Sequence, residues 1–336
     1  MILIVFLLSY SLVVLTFKKA QPSEFAYVNN NFNVFGLNIP TDLMFCGEKI
    51  PGDNYEIRTN LEKEFFNNVY WKNNSAILFN KIAKWFPYIE PILKQEGVPD
   101  DIKYIAVIES HLSNEISPAG AAGFWQLVPS TARNYGLIVN DEVDERLDVE
   151  RSTHAACKLF KEAHKRLNNW TLSAAAYNLG IGGIERALKE QKTNNYYDLL
   201  LNRETGEFIY RVLAYKTLLS SPIHFGIKKT KIKYLPKMSV KVVTVDTSIT
   251  DLTFLAKKYK CSKAQIQLLN PWLLKGTIHN VDGHPYKIKL PKNSKKDYSS
   301  YYSDLLSEDG YIHETSAEND PKFEEQTDTL KPKQIE

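Results

Sequence analysis

Apolar and polar positions along this chain change character four times. Residues Ile2 to Phe17 are apolar almost without interruption and stop at Lys18–Lys19. From Asp53 to about Gly226, apolar residues recur at three and four, as in Ala155, Ala156, Leu159, Phe160, Ala163 and Leu167. That is the period of helices with one buried face. It predicts helices over 55–70, 74–96, 99–110, 128–135, 152–167, 170–178, 182–190 and 204–220. Gly97 with Pro99, and Pro118 with Gly120, stand where helices must stop and restart. A third stretch mixes two periods: strand-like "KVVTV" (241–245), helical "TDLTFLAKKYK" (250–260) and "SKAQIQLLN" (262–270), then a closing strand "YKIKLP" (286–291). From Asn293 onward Ser, Asp, Glu and Tyr dominate without period, which predicts a disordered tail.

The expected organisation is therefore a signal peptide or anchor (1–20), a linker or wrapping segment (21–54) and a helical body (55–226). A basic linker (227–240), a small strand–helix–helix–strand unit (241–292) and an acidic tail (293–336) follow. The fold class is mainly α with a small α+β unit, and 336 residues suffice for one sizeable core and a lesser one. The N-terminal run has almost no basic n-region, and no clear small-x-small cleavage site follows it. A largely apolar run of sixteen residues is marginal for a membrane span. Export to the periplasm or cell envelope is the expectation, with membrane association through the N-terminus if the segment is retained.

Composition excludes several classes. Apolar and charged fractions of 43% and 24% are those of an ordinary globular protein. A net charge of +3 is too small to argue for nucleic acid, and the expected partners do not include it. The stretch from Lys295 to Glu336 holds 5 Lys against 11 Asp and Glu, a local net of −6 that leaves +9 elsewhere. A mildly basic body suits an anionic polymer and plain solubility equally. Cys46, Cys157 and Cys261 are odd in number and far apart, so no disulfide framework is expected. His154 and Cys157 share a helix face, but no further ligands sit at matching spacing, and no metal or other cofactor is predicted. "GIGGIE" (180–185) resembles a phosphate loop but lacks the Lys and the preceding strand. Ser110 and His111 are adjacent on a helix and point apart.

One residue stands out. Ile102, Ile105, Ala106 and Glu109 fall at i, i+3, i+4 and i+7, so Glu109 continues an apolar stripe into the last turn of its helix. Burial and the negative end of the helix dipole would both raise its pKa. A carboxyl kept protonated near neutrality can act as a general acid; swung out into water it would be an ordinary helix-end glutamate. The following "SPAGAAGFWQLVPSTA" places Gly120 and Gly123 where backbone approaches something closely, with Trp125 and Gln126 offering an aromatic face and an amide. Pro129 opens the next helix, with Val128 or the loop before it as cap. Farther on, "LSAAAYNLG" ends a small-residue helix in Tyr177 and Asn178 beside glycine.

In that order and spacing, "IESHLSNEISPAGAAGFWQLVPSTARNYGL" and "AAYNLG" resemble the signature blocks of soluble-lytic-transglycosylase-type domains, nearest to the membrane-bound murein lytic transglycosylase D type. "DVERSTHAACKLF" (148–160) and "ETGEFIYRVLAYKTLL" (204–219) extend the likeness over roughly residues 55–225. It implies a goose-type-lysozyme-like, mostly helical fold that cleaves the MurNAc–GlcNAc bond of peptidoglycan, whose glycan strands are the expected partner, with the protein a monomer. Carried over by position, Glu109 would be the single catalytic acid/base. Ser110, Gln126, Tyr177 and Asn178 would line the saccharide cleft, and Gly120, Ala121 and Gly123 would shape its loop. Where many members carry a Tyr this chain has Phe208, and Tyr210 is the nearest hydroxyl to replace it.

The implied mechanism suits a lone carboxylate. Glu109 would protonate the glycosidic oxygen, then take the proton of the MurNAc C6 hydroxyl as that oxygen closes on C1, leaving a 1,6-anhydro end and consuming no water. Ordinary glycosidases need two carboxylates. Glu115, six residues on in a polar loop, reads as a solvated surface group. A hydrolytic muramidase and a non-catalytic glycan-binding scaffold are the rival readings. The C-terminal unit resembles a LysM module, with "DTSITD" in place of the usual Gly-Asp-Thr turn; Asn270, Pro271 and Trp272 could contact glycan or pack the small core.

Overall fold

A computed structural model describes residues 40, 42–66, 75–222 and 237–293. The expected export segment, most of the basic linker and the acidic tail lie outside the described residues. Part of the expected wrapping segment lies inside them. β1 (Met44–Phe45) and β2 (Glu48–Lys49) pair antiparallel around Cys46 and Gly47, with Phe45 and Ile50 fully buried. Strands this short leave no alternation for a sequence pattern to show.

Among the described residues, eight α-helices follow in the helical body. Asn54 caps α1 (Tyr55–Glu64), accepting from the amides of Glu56 and Ile57. α2 (Ser75–Glu96) is the longest and carries Pro87 and Pro91 within it. A 3-10 turn, Asp100–Ile102, leads into α3 (Lys103–Ser110), so the predicted 99–110 helix has a tighter first turn. The cap His111 and the buried Leu112 are both left-handed, at φ 48° and 57°, and turn the chain sharply away. α4 (Pro129–Asn134) is capped by extended Val128 without a side-chain bond.

α5 (Val149–Leu167) starts three residues before the predicted 152, because the Asp148 carboxylate accepts from the amides of Glu150 and Arg151. Of its predicted stripe, Ala155, Ala156, Leu159, Phe160 and Ala163 are buried. α6 (Trp170–Leu179) and α7 (Ile181–Gln191) meet at Gly180. Glu48 of the hairpin accepts from the first amides of α6, Trp170 at 2.5 Å and Thr171 at 2.9 Å, which satisfies donors that a helix start leaves without an intrahelical partner. α8 (Arg203–Ser220), capped by Asn202, runs through the middle of the body and packs against α1, α3 and α6.

In the C-terminal unit, β3 (Val240–Val245) and β4 (Tyr286–Pro291) pair antiparallel from Val240 opposite Pro291 to Val245 opposite Tyr286. Between them come α9 (Leu252–Tyr259) and α10 (Lys263–Leu269), the latter opened by a reciprocal Ser262–Gln265 cap. The mainly α plus small α+β class is as the sequence pattern predicts. Among the described residues no helix is long and apolar enough to cross a membrane.

Candidate active site

Glu109 sits in the last turn of α3. Ile102, Ile105 and Ala106 below it are fully buried, and Glu109 itself is half-buried. Its carboxyl is pushed up to about 7, first by burial, then by the charge of Glu204, with Arg211 pulling the other way. Among the described residues it has no hydrogen-bond partner. Such a carboxyl is protonated and ionised in comparable amounts at neutrality, so it can give a proton and take one back.

Beside it the segment from Glu115 to Leu127 folds back on itself. Ala122 bridges Ile116 on one side and Leu127 on the other. The amides of Gly120 and Gly123 donate to the carbonyls of Ser117 and Glu115 at 2.8 and 3.0 Å, and the Ala121 amide donates to Ser117 Oγ at 3.1 Å. Gly123 is needed twice over. Its φ is 77°, and a Cβ there would lie 2.1 Å from the backbone oxygen of Arg146. Gln126 takes a left-handed φ of 44°. Its Nε2 donates to the carbonyls of Glu115 and Gly123 at 3.0 and 2.9 Å, which leaves its Oε1 without a partner among the described residues.

Two helix ends complete the group. At the end of α6, the Tyr177 hydroxyl donates to the carbonyl of Trp125; burial and the charge of Glu109 both hold that phenol well above its ordinary pKa. Asn178 donates to Glu204 at 3.0 Å and accepts from Thr205 at 2.7 Å, which ties α6 to the start of α8. The end of α3 that carries Glu109 is thus tied to the 115–127 loop through Ser110 and Phe124, that loop to α6 through Tyr177, and α6 to α8 through Asn178.

Three expected contacts fall elsewhere. Ser110 is buried, and its Oγ donates to the carbonyl of Phe124 at 2.9 Å, so it ties the loop to α3 rather than lining a cleft. Trp125 is fully buried. Its Nε1 donates to Thr153 at 2.8 Å and its ring packs edge-on against Phe160 and Tyr177, so it offers no open aromatic face. Tyr210 is buried beside Tyr196 and Tyr197, and its hydroxyl bonds Asn60 of α1. Glu204, Phe208, Arg211 and Tyr215 recur at the spacing of one helix face; Tyr210 is turned off that face, toward α1. Glu115 is exposed and contributes nothing to the pKa of Glu109.

Sequence reasoning missed Glu204 and Arg211 as the charges that tune Glu109. The only signal was the "ETGEF" block itself, whose first residue stands at the start of α8. It also missed Arg146, whose Nη1 donates to the carbonyls of Gly120 and Leu127 at 2.6 and 2.8 Å.

Residues 87–200 match the family model of the transglycosylase SLT domain, and residues 241–294 that of the soluble lytic transglycosylase C-terminal LysM-like domain. Membrane-bound lytic murein transglycosylase D of Escherichia coli K12 is 32% identical over 164 residues, 46% of this chain and 36% of that protein. Membrane-bound lytic murein transglycosylase F of Saccharophagus degradans is 32% identical over 129 residues, 34% of this chain and 24% of its own. The chain thus spans about a third of the length of the transglycosylase D it matches. A solved lytic transglycosylase Slt from Pseudomonas aeruginosa covers 53% of this chain and 29% of its own at 20% identity, with a TM-score of 0.33, too loose a match to carry an argument.

Proposed function

We propose that this chain, which carries a transglycosylase SLT domain followed by a LysM-like domain, is a peptidoglycan lytic transglycosylase with Glu109 as its acid/base. The observation that carries this reading is the Glu109 carboxyl, poised near pH 7 by burial and Glu204 and free of internal hydrogen bonds. A group engaged in holding the fold together would be paired; this one is held ready and unpaired. Glu109 protonates the bridging oxygen and the C1–O4 bond breaks. The resulting carboxylate takes the proton of the C6 hydroxyl while O6 bonds to C1. Atoms balance without water. Gln126 Oε1 is an acceptor for a sugar hydroxyl, Asn178 a further polar contact, and Tyr177 fixes the wall between them. Gly120, Ala121 and Gly123 shape the loop, and Ser110 holds it to α3.

A second reading has one observation in its favour. Glu204 is near enough to raise the Glu109 pKa, and a hydrolytic muramidase would use such a second carboxylate to activate water. Glu204 is exposed and bonded to Asn178, which favours an electrostatic role. Digestion of purified peptidoglycan followed by mass analysis separates the readings. Products lighter by one water, carrying anhydro ends, support transglycosylation; reducing ends overturn it in favour of hydrolysis; no release from sacculi overturns both. The names of the matched relatives, together with the apolar run at 2–17, support placing the protein in the cell envelope. N-terminal sequencing of the mature protein tests whether that run is kept as an anchor.

A further inference from the structure

Residues 142–144 of the helical body and 272–274 of the C-terminal unit run antiparallel and pair main chain to main chain. The Asp144 amide donates to Trp272 O and the Leu274 amide to Glu142 O, each at 2.9 Å. Side chains lock both ends of this clasp. Glu142 accepts from Thr277 Oγ1 and the His279 amide at 2.8 Å each and pairs with His279 Nδ1 at 2.7 Å. Lys289 reaches Asp148 and Glu150 at 3.0 and 2.7 Å. The Arg151 guanidinium lies 4.4 Å over the ring of Trp272, a cation–π contact. Trp272 is fully buried. The apolar core of the unit, with Leu252, Ile266 and Ile288, continues without a break into Val143, Leu147 and Ala122.

Ala122 lies inside the loop beside Glu109, and the clasp strand holds that loop a second way. Arg146 is 5% exposed. Its Nε and Nη2 grip the Asp144 carboxylate at 2.8 and 2.7 Å. Its Nη1 ties together the carbonyls of Gly120 and Leu127, and its own carbonyl packs on Gly123. Asp144, which orients Arg146, is the residue whose amide is bound by Trp272. A contiguous chain of bonds therefore runs from the C-terminal unit to the loop. Asn270 is buried, with Nδ2 donating to the carbonyls of Ile266 and Lys289. With Trp272 also enclosed, neither is open to a glycan.

We propose that the LysM-like unit is a fixed brace of the loop beside Glu109, with Arg146 as the positioning residue, rather than a tether that captures glycan. Its effect on rate rests on the transglycosylase reading; the mechanical link does not. The test uses the full chain with two sets of variants. Glu142→Ala with Lys289→Met opens the clasp at its rim, and Arg146→Met is compared with Arg146→Lys. Amide hydrogen exchange is followed across 115–127, and turnover is measured on sacculi and on a soluble glycan too short to reach the C-terminal unit.

In the rim variant, exchange across 115–127 is expected to rise about tenfold while α2 and α8 stay protected. Turnover of the short glycan falls by about tenfold with little change in KM, and Arg146→Lys keeps more of it than Arg146→Met. Unchanged exchange across 115–127 in the folded rim variant overturns the proposal. So does a rise in KM on sacculi alone with short-glycan turnover intact, the signature of a tether. If the wild-type chain releases no anhydro product, the transglycosylase reading falls, and the exchange measurement still decides the brace.

Discussion

Glu204, the second residue of α8, acts electrostatically on Glu109 in the last turn of α3, and after burial it is the strongest influence holding that carboxyl up to about 7. The two come from segments almost a hundred residues apart, so the raised pKa of Glu109 is a property of how α3 and α8 pack.

Glu109→Gln is expected to abolish release of anhydro-muropeptides, read by mass analysis of digests. It should also stabilise the fold at alkaline pH. A carboxyl raised from 4.5 to about 7 favours the folded state below pH 4.5 and disfavours it increasingly as pH rises toward 7. The amide removes that penalty, which amounts to at most about 3 kcal/mol. The Tm difference between variant and wild type should therefore grow from pH 4.5 to 7 and then level off. A difference independent of pH would contradict the raised pKa.

Glu204→Gln removes a charge while keeping an acceptor for Asn178. The Glu109 pKa should fall, and the alkaline limb of the kcat/KM profile should move to lower pH. A lower rate with an unmoved limb would show that Glu204 acts on the reaction in another way.

Gly123→Ala and Gly120→Ala should differ in severity. Both positions have φ near 77°, which costs a side chain about 1 kcal/mol. Only at 123 does the new Cβ meet backbone, at 2.1 Å from Arg146 O; around 120 there is open space. Gly123→Ala should lower stability by on the order of 3 kcal/mol and lose turnover, Gly120→Ala by about 1. Equal effects in thermal unfolding would refute the close approach.

Trp272→Ala should cost about 3–5 kcal/mol of stability as a buried aromatic truncation. Loss of peptidoglycan affinity in pull-down assays with unchanged Tm would instead mark Trp272 as a glycan contact.

Most of the helices, the order of elements and the position of Glu109 at the end of an apolar stripe were legible in the chain, because each rests on local physics. A helical stripe, a Pro at a helix start or a capping Asp or Asn is written within a few residues of where it acts. The half-burial of Glu109 followed from the same stripe, and the spacing of the signature blocks marked Gln126, Tyr177 and Asn178. What the chain could not display was the fate of polar and aromatic groups between distant segments. Trp125, expected to offer an aromatic face, is core, because Thr153 of α5 satisfies its N–H. Ser110 and Tyr210 turned inward because Phe124 O and Asn60 offered partners. The charges of Glu204 and Arg211 reach Glu109, and Arg146 reaches Gly120 and Gly123, only once segments far apart in the chain have packed together. Local periodicity determined the elements and the helical phase of Glu109; long-range packing decided the environment and electrostatics of that residue.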